Sequence, residues 1–281
     1  MADADATATA FAVDADAFNR FQLAGWEARA DSYAFFSPMT RRVGGALLAA
    51  ACVAAGTEVL DVGAGPGDLA AAAADLGADT VGMDVAPSMV RRAALAHPAI
   101  PFRVGSFEQI PAGEGVFDAV VGNFVLNHVG RPELALREAA RVLRPGGWLA
   151  LSSWDAPHRN RLLGLMLDAV TAAGAAVPPG VPAGPVSYPS AAELRDSFLA
   201  AGFTDVGTSG IMFEAAVPDA ATLWQGLLDS AVRVPAHVTA QPADVQARIR
   251  SAFDDLVAVH RRPGAGLAVP VSVLVTRGRR P

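Results

Sequence analysis

The chain has 281 residues, 52% of them hydrophobic, and its 22 basic residues face 28 acidic ones for a net charge of −6. So much apolar material excludes disorder along the whole length and suffices for one large domain, or a core with an elaborated cap. Every basic residue is arginine, which excludes Schiff-base and P-loop lysines, and the acidic balance argues against a phosphate-tracking nucleic-acid binder.

In chain order, the opening MADADATATAFAVDADAF is acidic, with neither a basic n-region nor a long apolar h-region, so no secretory signal is expected. Residues 1–16 read as a flexible tail. No run of about 20 residues is apolar and free of charge, Gly and Pro, so neither a membrane span nor a membrane partner is expected, and the location expected is cytoplasmic. The single cysteine, Cys52, lies in the apolar run Ala46–Ala55 and reads as a buried core thiol without a disulfide.

Short β-rich runs then alternate with Ala-rich helical ones. Strands are expected at Thr57–Val62, Thr80–Asp84, Ile100–Val104, Phe117–Gly122 and Trp148–Trp154. Helices are expected at Asp68–Leu76, Pro87–Ala96 and Pro132–Leu143, the last begun by a proline and broken by Arg144-Pro-Gly-Gly147. Beyond Trp154 the reading is helix Asn160–Ala176, loop Val177–Pro189, helix Ser190–Ala201 with a capping-box glutamate, and strand Thr204–Val217. Helices Asp219–Val232 and Ala243–His260 and a final strand Leu267–Arg277 follow. Near-continuous apolar strands alternating with helices mean a buried parallel sheet. The expected fold is therefore α/β: a doubly wound, mostly parallel, seven-stranded Rossmann-like sheet with helices on both faces and a helical cap, its ligand beyond the C-terminal strand edges.

The sharpest motif is Asp61-Val-Gly63-Ala-Gly65-Pro-Gly67. Its glycines permit positive φ and close approach of a ligand to the backbone. A dinucleotide fingerprint needs its third glycine at position 68, where this chain has Asp68, and a carboxylate at the helix start repels pyrophosphate. The turn suits a ligand without phosphate. Asp84, 21 residues beyond Gly63 at a strand end, can accept hydrogen bonds from both hydroxyls of a ribose.

With these features the sequence resembles the class I S-adenosylmethionine-dependent methyltransferases, specifically the small-molecule group that includes ubiquinone- and menaquinone-type enzymes. The resemblance rests on LDVGAGPG (60–67), GMDVAPSMVRRA (82–93), FDAVVGNFVLNHV (117–129) and REAARVLRPGGWLALSSW (137–154). It implies S-adenosylmethionine as cofactor. Asp61 and Gly63 to Gly67 would hold its methionine part, Asp84 its ribose, and Val85 and Met89 its adenine. Ser106 and Phe107 would flank the adenine's other side, although the family often has an aspartate at the Ser106 position. Asn123 would offer a backbone carbonyl, with Phe124 as the neighbouring wall. Tyr33, in the pattern Trp26-x-x-x-Ala30-x-x-Tyr33, resembles the N-terminal helix that closes over the cofactor, its hydroxyl within reach of cofactor or substrate.

Methyl transfer from a sulfonium demands alignment and exclusion of water, with proton removal from the acceptor as the optional chemistry. His128, six residues beyond the fourth strand, is the candidate base, with His158 a distant second and Tyr33 the residue to test next. Trp154, Met166, Met212, Phe213 and Trp224 are expected to line an apolar acceptor pocket. Residues 17–281 are read as one methyltransferase domain: N-terminal lid helices at 17–55, a cofactor-binding core at 56–154, and a substrate cap at 155–190 and 218–262. The partner expected is a small-molecule acceptor methylated on oxygen, nitrogen or carbon in secondary or cofactor metabolism. Nucleic acid and metal are not expected, the latter for want of an Asp/Asn/His cluster. Monomer and homodimer stay open. The alternative is a cofactor-binding enzyme catalysing a non-methylating reaction such as a cyclisation.

Overall fold

The structure is a computed structural model describing residues 14–184, 188–264 and 266–281. The strands are β1 (Glu58–Val62), β2 (Asp79–Asp84), β3 (Phe102–Val104), β4 (Phe117–Gly122), β5 (Leu143–Trp154), β6 (Thr204–Val217), β7 (Arg261–Arg262) and β8 (Gly266–Arg279). Their order is β3-β2-β1-β4-β5-β8-β6, with β7 pairing only the start of β8. The first five strands of that order run parallel and β8 pairs antiparallel with both its neighbours. The chain winds outward in both directions from β1, so the crevice where ligands collect on such sheets falls beyond the C-terminal ends of β1 and β4.

Strand composition explains the layering. In β1 and β4 every residue but the first or second is buried, on both faces, as a sheet covered on two sides requires. On one face α5 (Pro132–Val142) seats Ala135, Leu136, Ala139 and Val142, a stripe at helical spacing, against Leu60, Val120 and Leu149. On that face also lies α7 (Ala191–Ala200), capped by Ser190 and Glu193 in the reciprocal arrangement read from sequence. The other face carries α2 (Ser37–Ala50), α3 (Asp68–Asp75), α6 (Arg161–Ala172), α8 (Ala220–Ser230), α9 (Arg233–Thr239) and α10 (Ala243–Val257), joined in one apolar cluster. The N-terminal α1 (Ala15–Arg29) packs on α4 (Pro87–Ala96) at the C-terminal edge of the sheet. Among the described residues no helix is long and apolar enough to cross a membrane.

Several expectations are corrected. Asp14 caps α1 by accepting the Ala17 N–H at 2.9 Å, so residues 14–16 cap and open a helix, while residues 1–13 of the expected tail lie outside the described residues. Residues 144–147, read as a break, form a bulge inside β5: Phe117 pairs with Leu143 and Ala119 with Trp148. The helix expected at Asn160–Ala176 is shorter, and the one expected through Val232 ends at Ser230, with α9 following after a turn. The two-residue β7 was not expected, and residues 185–187 of the loop Val177–Pro189 lie outside the described residues. Cys52 is exposed, with φ +55°, because α2 stops at Ala50 and the chain reverses there. It is no core thiol.

Candidate active site

Beyond Val62 the chain turns through its three glycines into α3. All three have positive φ, but they do different work. A Cβ at Gly63 (φ +69°) would meet Val125 Cγ2 at 2.5 Å, so close packing requires the missing side chain. A Cβ at Gly65 (φ +53°) would stand in open space, and Gly65 lines a cavity at the strand ends. Gly67 packs against Phe102, His97 and Ala93, away from that cavity. Asp61 is 1% exposed and lies behind the turn rather than in the cavity wall. Its Oδ2 has no hydrogen-bond partner among the described residues, and burial holds its pKa well above the carboxylate range.

Asp84 ends β2 at the cavity edge. Its Oδ2 accepts the Gly65 N–H and its Oδ1 the Ala86 N–H, each at 2.9 Å, which fixes both the turn and the carboxylate. Burial raises its pKa, and the backbone donors pull it back down. A carboxylate has about four acceptor positions, so this one keeps capacity for further hydroxyls. Val85, Met89, Gly105, Ser106 and Phe107 continue the same wall. Ser106 Oγ accepts the Glu108 N–H at 3.1 Å, so its O–H is left to donate.

Asn123 and Phe124 follow β4. Ser152 Oγ donates to Asn123 Oδ1 at 2.6 Å and accepts the Phe124 N–H at 2.9 Å, while Asn123 Nδ2 donates to the Thr40 carbonyl at 3.1 Å. This network holds Phe124 at φ +59°, a strained conformation for a bulky residue, and stacks its ring on Trp154 at 3.8 Å between centroids.

Helix α1 and the turn after it close the opposite wall with Asn19, Gln22, Trp26 and Tyr33. Glu27 Oε1 accepts the Ser88 N–H at 2.9 Å, at the start of α4. Glu108 Oε1 accepts from Asn19 Nδ2 and from the Gly130 and Arg131 N–H groups at 2.8–2.9 Å. Burial drives the Tyr33 hydroxyl above its usual range, and the nearby carboxylates of Asp68, Asp84 and Asp61 push the same way. Tyr33 therefore stays protonated at neutral pH.

His128 lines the cavity, yet both its ring nitrogens are engaged. Nδ1 lies 3.0 Å from Gln22 Oε1 and Nε2 lies 3.1 Å from Asn127 Nδ2, with the Trp26 ring packed edge-on at 5.0 Å. Burial, reinforced by the Arg233 charge, lowers its pKa to about 3. Such an imidazole is neutral and a weak proton acceptor, held by both ring nitrogens. His158 is not among the residues that line the cavity.

Of the five residues expected to line an acceptor pocket, Trp154 does so. Met166 is fully buried in the core, and Met212 is 73% exposed on edge strand β6, where side chains alternate outward. Phe213 lies under the Arg42 guanidinium, and Trp224 packs edge-on against Phe253 at 5.0 Å with Arg250 over its ring. These four are corrected to surface and core. The same cavity is lined besides by Phe36, Leu163, Tyr188 and the segment Ser230–Val234 that joins α8 to α9. Burial raises the Tyr188 hydroxyl to about 12 and lowers the pKa of Arg233, each partly offset by the other. A signal for α1 was present in sequence: Asn19, Gln22 and Trp26 share one helix face at i, i+3, i+7. Tyr188 and Arg233 reach the site only through tertiary packing.

A methyltransferase-domain family model matches residues 60–151. The ubiquinone biosynthesis O-methyltransferase of Xanthomonas oryzae pv. oryzae is 42% identical over 104 residues, which is 35% of this chain and 44% of that one. The demethylmenaquinone methyltransferase of Renibacterium salmoninarum is 37% identical over 102 residues, 36% of this chain and 43% of that one. The chain thus spans less than half the length of these curated relatives. The crystal structure of the YcgJ protein from Bacillus subtilis superposes with a TM-score of 0.57 at 19% identity, over 85% of this chain and 98% of that one, a likeness of fold. The resemblance carried by the glycine turn and the strand-end motifs falls in the same stretch: residues 60–151 match the methyltransferase-domain family.

Proposed function

We propose that the chain transfers a methyl group from S-adenosylmethionine to an oxygen, nitrogen or carbon of an apolar or aromatic small molecule. The supporting observation is one continuous cavity that joins the Gly65–Asp84 cradle to an aromatic end at Phe36, Phe124 and Trp154. The two relatives are named for O-methylation in ubiquinone biosynthesis and for methylation of demethylmenaquinone, which agrees with a flat acceptor.

The cradle fits the cofactor. Asp84 has acceptor capacity beyond its two backbone donors, as a ribose diol requires, and Gly65 leaves open the volume a side chain would fill. Asp68, at the start of α3, disfavours a phosphate there. When bound, S-adenosylmethionine supplies an electrophilic methyl and a neutral leaving sulfide. The residues hold and orient: Asp84 the ribose, Met89 and Phe107 the adenine, and Phe124 with Trp154 the acceptor plane. Trp26 and Tyr33 exclude water. Neither His128 nor Tyr33 takes a proton at neutral pH, so the acceptor brings its own lone pair, as a phenolate, a neutral amine or a stabilised carbanion.

Isotopically labelled S-adenosylmethionine, incubated with the full chain and small-molecule extracts, tests this reading by product mass. A labelled product heavier by one methylene supports it. Cofactor binding with products of unchanged mass favours a rearrangement or cyclisation, and no binding of the cofactor removes both.

A further inference from the structure

The three side chains Gln22, His128 and Asn127 form a directional chain. Asn127 Nδ2 donates to His128 Nε2 at 3.1 Å, so that nitrogen is bare, and the neutral ring therefore carries its proton on Nδ1, donated to Gln22 Oε1 at 3.0 Å. Each amide has one polar atom left over. Gln22 is 2% exposed and its Nε2 has no partner among the described residues, and neither has the buried Asn127 Oδ1. Both residues line the cavity. Buried polar groups are almost always satisfied, so an orphan donor and an orphan acceptor on two residues that line one cavity call for a bound partner. The tautomer decides which is which: moving the proton to Nε2 would flip both amides and exchange the two roles. Neutrality follows from burial beside Trp26 and from the Arg233 charge.

We propose that Gln22, His128 and Asn127 are a hydrogen-bond clamp for an aromatic acceptor bearing both a carbonyl and a hydroxyl or N–H group, the carbonyl at Gln22 Nε2 and the donor at Asn127 Oδ1. This rests on the methyl-transfer reading only in taking the bound molecule to be the methyl acceptor. The three clamp side chains carry no charge, so the clamp selects by hydrogen-bond pattern. A carboxylate placed at Asn127 Oδ1 would be rejected, as would an aromatic hydrocarbon that left both groups unpaired. His128 is a positioning residue here.

The test uses the full chain saturated with S-adenosylhomocysteine and three probes of similar size: 4-hydroxyacetophenone, 4-ethylphenol without the carbonyl, and 4-methoxyacetophenone without the donor. Dissociation constants are read by ligand-observed NMR. The first probe is expected to bind about three- to tenfold tighter than either other, the range for one neutral hydrogen bond. Gln22→Met should erase the preference over 4-ethylphenol and keep that over 4-methoxyacetophenone. Asn127→Leu should do the reverse. Equal binding of the three probes by wild type, no binding of any, or a variant that keeps the preference it should lose overturns the clamp. If a variant fails to fold, the wild type decides: the Gln22 side-chain N–H signals should shift with 4-hydroxyacetophenone and not with 4-ethylphenol, and unmoved signals overturn it. S-adenosylhomocysteine binding is measured first. Its failure counts against the methyl-transfer reading, whereas its success without probe discrimination counts against the clamp alone.

Discussion

Gly63 and Gly65 sit two residues apart in the same left-handed conformation, yet a methyl group means different things at each. An L-residue at positive φ costs about 1–2 kcal/mol at either position. At Gly63 the added Cβ also meets Val125, an overpacking of about 1–3 kcal/mol more. Gly63→Ala should therefore lower the urea midpoint clearly further than Gly65→Ala. Gly65→Ala, whose Cβ enters the cradle, should cut S-adenosylhomocysteine affinity at least about tenfold by calorimetry, a difference of about 1.4 kcal/mol. Unchanged affinity would remove Gly65 from the cofactor site. His128 yields a prediction with a sign. Unfolding releases its imidazole to titrate near pH 6.5, whereas the folded ring takes a proton only near pH 3. The unfolded state binds the extra proton between those values, so this contribution to stability is complete above about pH 6.5 and is lost as pH falls. His128→Gln cannot titrate. Its unfolding free energy should drop less than that of wild type between pH 7 and 5, the opposite trends of Asp61 and Asp84 cancelling in the comparison. A parallel loss in both proteins would mean that His128 titrates normally when folded.

At the scale of elements, α1 is the wall most dependent on polar ties. Its apolar contribution centres on Phe18 and Trp26, and its attachment runs through Glu108 to Asn19, Gln22 to His128, and Glu27 to the α4 N-terminus. The exposed Arg131–Asp16 pair adds little, being screened by water. Glu108 is 8% exposed and serves two backbone N–H groups, so its loss strands them in a poorly hydrated place. Glu108→Ala should cost about 1–3 kcal/mol and raise amide exchange in α1 before that in β1 or β4. Uniform exchange across the chain would make Glu108 a general stabiliser rather than a fastening for this helix. The sequence contained the parts of this arrangement but not its wiring. Nothing local to Glu108 says that its side chain reaches a helix 89 residues earlier. By contrast the glycine turn, the two strand-end residues around it and α5 were legible. Their chemistry is local: positive φ, a Pro at the first helical position, an apolar stripe at helical spacing.

For the whole molecule, what sequence could not resolve was which large apolar side chains face a ligand and which face each other. Met166, Trp224 and Trp154 carry the same composition signal. Register against the sheet separates them, because Trp154 ends β5 at the cavity while α6 and α8 turn Met166 and Trp224 inward. The helices expected as a cap share one hydrophobic cluster with α2 and β8, so changes there are first of all changes in stability. Trp224→Ala should remove about 3–5 kcal/mol, the usual cost of truncating a buried large aromatic, including the edge-on contact with Phe253. At a temperature where the variant is still folded, its affinity for S-adenosylhomocysteine and for 4-hydroxyacetophenone should match that of wild type. Trp154→Ala removes a ring stacked on Phe124 in the cavity wall. It should weaken the aromatic probe at least about tenfold while leaving S-adenosylhomocysteine within about threefold. Chemical denaturation and calorimetry on both variants decide the matter. The reversed pattern, with Trp224→Ala selectively losing the probe and Trp154→Ala losing only stability, would move the acceptor end of the cavity onto α8 and refute the assignment made from Phe36, Phe124 and Trp154.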